Sequence, residues 1–154
     1  MTLVPRAPRR WRRRIALGLL ALLGLPYLLT VVYAALPPPA SALMLWQWAS
    51  DGIDYRWRPL GKISVHLVRA VFTSEDQRFC QHSGIDWREL RPQLTTALTE
   101  DEGRARGAST IPMQVAKNLY LWPSRSRVRK ALEMPLALWI DLILSLIHIS
   151  EPTR

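Results

Sequence analysis

"SVHLVRAVFTSEDQRF", residues 64–79, decides what kind of chain this is. Val65, Val68, Phe72 and Phe79 recur at spacings of three, four and seven, the repeat of a helix with one apolar face rather than the alternation of a strand. Ser64 stands where an N-cap belongs. Glu75 falls three residues after Phe72 and four before Phe79, so this register puts its carboxylate on the apolar stripe and leaves Asp76 and Arg69 off it. A carboxylate on such a stripe is costly unless it is hydrogen-bonded or lines a cleft, which makes Glu75 a functional candidate. Asp76 is as well suited to local capping as to chemistry.

Upstream of this helix the chain changes character. "RRWRRR" (9–14) precedes a run at 15–36 with no charge in about 22 residues, long enough at about 1.5 Å per residue to cross a hydrocarbon core. A secretory signal is the competitor, but the run exceeds the usual apolar region of a signal peptide, and Trp11 and Tyr33 sit near its ends as interfacial anchors would. An uncleaved, single-pass anchor is the expectation. The arginine cluster keeps residues 1–14 in the cytoplasm, which sends everything after Leu36 across an inner membrane to the periplasmic side. Residues 37–63, opening with a triple proline, are expected to be a membrane-proximal linker, in which Trp46 and Trp48 either anchor at the interface or pack on the domain.

The net charge of +9 gathers largely in the N-terminal cluster and in "RSRVRK" (125–130), so it does not indicate nucleic acid as a partner. The single cysteine, Cys80, excludes an internal disulfide and a four-thiolate metal site, and is expected to act as a small buried hydrophobe.

Downstream, three more helices are predicted. Asp86 and Glu89 are spaced as a capping box before Trp87, Leu90, Leu94 and Leu98, although Pro92 should break or delay that helix. "TEDEGRARGA" reads as a mobile loop. "STIPMQVAKNLYLW" reads as a helix capped by Ser109, with Pro112 tolerated in its first turn, a buried stripe of Ile111, Val115 and Leu119, and a polar stripe of Gln114, Lys117 and Asn118. In the last helix Glu133 shares a face with Arg129, Leu136 and Ile140, and Pro135 should kink the helix nearby. No strand-like alternation is present, so the fold expected after the anchor is all-α.

Two glutamates on apolar stripes of different helices, accompanied by cations, suit glycosyl transfer to or from a diphosphate: one carboxylate as acid or base, with cations neutralising the leaving group. "AVFTSEDQRFCQHSGID" (70–86), "RGASTIPMQVAKNLYLW" (106–122) and "RSRVRKALE" (125–133) resemble, in order, the first three motifs of the peptidoglycan glycosyltransferases, and most of all those of the monofunctional biosynthetic transglycosylases. The resemblance implies an N-terminal portion of a lysozyme-like helical domain at 64–145 that polymerises lipid II into β-1,4 glycan with release of undecaprenyl diphosphate. It implies Glu75 as catalytic base and Glu133 as the carboxylate at the donor's diphosphate. Asp76, Ser109, Thr110, Gln114, Lys117, Asn118, Arg129 and Lys130 would contact or border the substrate, and Phe79, His82, Gly84 and Gly107 would shape the motifs.

No cofactor is clearly required, though Glu133 could hold a divalent cation, Mg or Mn. The implied partners are lipid II, undecaprenyl-linked glycan, the membrane and other cell-wall synthesis proteins. Two departures stand out. Pro112 and Met113 replace the family's usual Thr or Ser and Gln, and after residue 145 the chain lacks the family's "ILE-x-YLN" segment, so residues 146–154 are expected to be a non-native or disordered tail on a truncated chain. An inactive, membrane-anchored binding fragment and a glycan-cleaving lytic enzyme are the alternatives.

Overall fold

A computed structural model describes residues 9–99, 108–124 and 126–150. Six α-helices and two 3₁₀ turns make up the secondary structure of these described residues, with no strand beyond an isolated bridge between Ser83 and Ile85. The all-α expectation holds.

Helix α1, Arg9–Ala35, is long and apolar enough over Arg10–Ala35 to cross a membrane, and Pro26 lies inside it without ending it. Helix α2, Ala42–Asp51, occupies part of the expected linker: the Ser41 side chain accepts from the Met44 amide at 3.1 Å and caps an apolar run. Trp46 and Trp48 are each 67% exposed, so neither packs on the domain.

Helix α3, Val65–Glu75, begins after Ser64, whose side chain makes no capping bond, contrary to expectation. It ends at Glu75 because Asp76 leaves the helical region at φ −158°, ψ 73°. This stop overturns the predicted register. Glu75 is exposed and Asp76 is buried, the reverse of the order a continuous helix through Phe79 would give. Phe79 instead sits in a 3₁₀ turn, Phe79–Gln81, and returns to pack on Phe72 with ring centroids 4.7 Å apart and the planes tilted by 58°. Cys80 in the same turn is exposed, not buried.

Helix α4, Trp87–Thr99, starts where Asp86 Oδ1 accepts from the Arg88 and Glu89 amides at 3.0 and 3.3 Å. It continues through Pro92, which removes one amide donor without breaking the helix. The expected loop between α4 and the next helix, including Gly107, lies mostly outside the described residues.

Helix α5, Ile111–Tyr120, is capped by Thr110 rather than Ser109 and buries Pro112, Met113 and Ala116. The predicted stripe is therefore rotated: Val115 is exposed, while Met113 and Ala116 are fully buried. Small and flexible side chains on this face let α5 approach α6, Arg127–Ser150, where Ala137 is likewise fully buried. In α6 the expected face of Glu133, Leu136 and Ile140 is buried as the spacing requires. The helix runs through Pro135 and on to Ser150, five residues into the segment expected to be a tail.

Two apolar clusters flank the α5–α6 contact. One joins Ile85, Leu90, Ala108, Met113 and Ala137; the other joins Ala116, Leu121, Leu136 and Ile140. The loop before α4 crosses α6 at Gly84, whose φ is +71° and whose missing Cβ would lie 2.8 Å from the Ala137 carbonyl oxygen and 3.1 Å from the Leu138 Cα. Gly84→Ala is expected to lower unfolding stability by about 3 kcal/mol, combining left-handed strain with an overpacked backbone contact. Gly52→Ala, at the same φ but with nothing within 4 Å, should lose only the strain part. Parallel denaturant titrations of the two variants check the difference.

Candidate active site

Asp76 is the residue on which the site is assembled. Its Oδ2 accepts from the Ile111 amide at 3.0 Å, supplying an acceptor to an orphan donor at the start of α5, and its Oδ1 lies 2.9 Å from His82 Nε2. The side chains of Asp76 and His82 are only 3% and 7% exposed. One carboxylate thus ties the end of α3 to the start of α5 and to the loop before α4. Thr110 adds a second tie by donating to the Gly84 carbonyl at 2.6 Å while accepting from the Met113 amide.

These ties leave Glu75 at the lip of a groove of about 340 Å³, lined also by Asp76, Arg78, Asp86, Ser109 and Thr110. Glu75 Oε2 accepts from Gln114 Nε2 at 2.7 Å, so the exposed carboxylate is held by an amide from α5 rather than left free to rotate. A larger hollow of about 480 Å³ lies beyond Arg78 and Asp86, lined by His82, Trp87, Arg88 and Leu138, and contains neither glutamate.

Ser109 connects the groove to the second carboxylate. Its Oγ accepts from Lys130 Nζ at 2.8 Å, which explains why Ser109 is not the cap of α5. Lys130 Nζ is also 3.4 Å from Glu133 Oε2, and the Arg129 guanidinium is in ion-pair contact with Glu133 Oε1, though without hydrogen-bond geometry. Glu133 is 2% exposed, so its charge is compensated by two neighbouring cations one turn back on the same helix. Burial holds the Lys130 ammonium below the usual lysine range; Glu133 opposes that shift, while Arg129 and Lys117 add to it. Two cations paired with one carboxylate, and Lys117 close enough to act on Lys130, leave surplus positive charge, a good setting for an anionic group.

Most of the predicted residues are brought together in two bonded groups, Glu75 with Gln114 and Ser109 with Lys130, Glu133 and Arg129, which meet where Glu75 and Ser109 line the same groove, with Lys117 close enough to act on Lys130. Asp76 and Thr110 are saturated by protein partners and buried, which fits them for support more than for contact with a ligand. Asn118 is half-buried and does not line the groove. Phe79 and His82 meet edge to face at 6.2 Å, and Gly107 is outside the described residues.

A family model described as Transglycosylase matches residues 45–149. The chain belongs to the transglycosylase family. Proteins named biosynthetic peptidoglycan transglycosylase are similar over nearly the whole chain: one from Rhodopseudomonas palustris (strain TIE-1) is 50% identical over 144 residues, covering 92% of this chain and 60% of that protein. One from Rhodopseudomonas palustris (strain HaA2) is 51% identical over 145 residues, with 93% and 63% covered, and one from Agrobacterium fabrum is 51% identical over 140 residues, with 89% and 61% covered. The chain therefore spans about 60% of the length of the curated relatives it matches. No solved structure matches it. The transglycosylase match starts inside the segment read as linker and includes most of α2, so residues 45–149 share the family's sequence.

Sequence reasoning missed Arg78. It sits in a turn where no periodicity operates, yet its guanidinium donates to Asp86 Oδ2 at 2.8 Å and to Glu89 at 3.0 Å, so Glu89 pairs with Arg78 rather than closing a capping box. Burial pushes the Asp86 carboxyl up, but amides from Glu89 and Arg88 together with the Arg78 guanidinium outweigh it and hold the carboxyl below its ordinary 3.8. A lowered folded-state value contributes stability that is present above 3.8 and lost as pH falls through the folded-state value. Asp86→Asn, which keeps a capping oxygen but no charge, should therefore be less stable than wild type at neutral pH, and the gap should narrow in urea titrations repeated at successively lower pH below 3.8.

Proposed function

We propose that the chain is a peptidoglycan glycosyltransferase of the biosynthetic type, joining lipid II units into β-1,4 glycan. The observation that carries this reading is a groove lined by an exposed carboxylate, Glu75, and by Ser109, whose hydroxyl accepts from Lys130 of the cation-rich cluster around buried Glu133, in a chain half identical to proteins of that name. Glu75 takes the proton from the acceptor's 4-hydroxyl as that oxygen attacks the anomeric carbon of the donor. The bond from that carbon to the diphosphate breaks, its electron pair leaves on the diphosphate, and the α-linkage inverts to β. Gln114 keeps Glu75 aimed. Lys130, Arg129 and Lys117 neutralise charge developing on the departing diphosphate.

The donor set at Glu133 does not suit a divalent ion. Its carboxylate is already engaged by two cations, and among the described residues no group of three His, Cys, Asp or Glu side chains is placed to hold a metal. Leaving-group stabilisation is accordingly assigned to the side-chain cations. We read α1 as an anchor; the arginines before it favour a cytoplasmic N-terminus and so support a groove on the periplasmic side of an inner membrane.

Incubating the full chain in lipid–detergent micelles with lipid II tests the proposal. A ladder of lengthening glycan on a gel is the expected result; release of soluble muropeptides from finished glycan, with lipid II untouched, would sink it in favour of a lytic enzyme.

A further inference from the structure

The outer half of α1 does more than run past the domain. Trp139 of α6 donates its indole N–H to the Tyr27 carbonyl at 3.0 Å, and the two rings meet edge to face with centroids 5.9 Å apart. One turn further along, Thr30 Oγ1 lies 3.0 Å from the Tyr120 hydroxyl of α5. Thr30 gives its single proton to the Pro26 carbonyl at 2.8 Å, which leaves Tyr120 as the donor in the second bond. Thr30 is buried although most side chains of α1 are exposed, and Tyr27 packs on the cluster of Ala116, Leu121, Leu136 and Ile140 that joins α5 to α6.

The anchor is thus bonded to both helices that carry the site. Tyr120 is three residues beyond Lys117 on α5, and Trp139 is six residues, about 9 Å of helix, beyond Glu133 on α6. Polar links in apolar surroundings are directional, and they fix rotation and height where apolar contact alone would let helices slide.

We propose that α1 is a structural member of the site-bearing unit and that Tyr120 and Trp139 are positioning residues, holding Lys117, Arg129, Lys130 and Glu133 in register through the anchor. The effect on turnover rests on the glycosyltransferase reading, whereas the effect on α5 and α6 does not.

The test uses Thr30→Val, Tyr120→Phe, their double variant and Trp139→Phe in the full chain in lipid nanodiscs. A fifth variant replaces residues 15–35 by an equally long leucine-alanine helix that keeps membrane attachment. Hydrogen exchange should rise at the amides of 114–120 and 129–133 in every variant. With lipid II, kcat/KM per folded molecule should fall about threefold to tenfold for each single change at the Thr30–Tyr120 pair, the size expected of one interhelical hydrogen bond in a membrane, and the double variant should fall no further. Unchanged exchange in α5 and α6 overturns the proposal, as does a retained kcat/KM in the helix-replacement variant. Exchange that rises in the variants while the wild type itself turns over no lipid II supports the structural link and refutes the glycosyltransferase reading, so the two fail separately.

Discussion

Glu75→Gln is expected to reduce lipid II polymerisation by about 10²–10⁴-fold, the range for removing a positioned general base, with little change in unfolding stability. The carboxylate is exposed and, among the described residues, its one hydrogen bond to protein is donated by Gln114, so the amide side chain fits the same space. What it cannot do is accept the proton of an attacking hydroxyl. Steady-state kinetics together with a thermal melt separate the two effects: a large fall in kcat at constant stability is the expected pattern. Full activity in the variant would remove Glu75 from the mechanism.

Glu133→Gln should be costly in the opposite way. The side chain is nearly fully buried and touches both Arg129 and Lys130, whose side chains are 13% and 29% exposed. Removing the charge leaves two cations facing each other without a counter-ion, and breaking a buried pair costs roughly 3–5 kcal/mol. Partial access of water to both cations puts the expected loss at the lower end of that range. Polymerisation should fall as well, because the remaining cations are no longer held in place. Denaturant titration reads the first effect directly. A variant as stable as wild type would show that solvent already screens the cluster, and with it the supposed electrostatic setting for a diphosphate.

Local periodicity made much of this molecule legible. The uncharged run at 15–36 marked α1, the spacing of Glu133, Leu136 and Ile140 marked the buried face of α6, and residues 75, 114 and 130, singled out by type, are engaged in the Glu75–Gln114 and Ser109–Lys130 hydrogen bonds. What periodicity could not show was where α3 stops. No glycine or proline marks the end; Asp76 leaves the helix while binding the Ile111 amide, 35 residues away, and that one departure exchanges the exposures of the two acids. The face of α5 was misread for a related reason. Hydrophobicity favoured Ile111, Val115 and Leu119, but the close approach of α6 at Ala137 selects the slimmer Ala116 and the adaptable Met113. The bond between Tyr27 and Trp139 spans 112 residues and joins α1 to α6, a pairing no local pattern announces.

The central claim is that Glu75 and the cations around Glu133 serve one displacement at an anomeric carbon bearing a diphosphate. Supplying the full chain with lipid II, counting undecaprenyl diphosphate released per glycosidic bond and reading the anomeric configuration of the product by NMR tests it most directly. One diphosphate per new β-1,4 linkage is the expected result. Retained α configuration, or saccharide release without diphosphate, would contradict it.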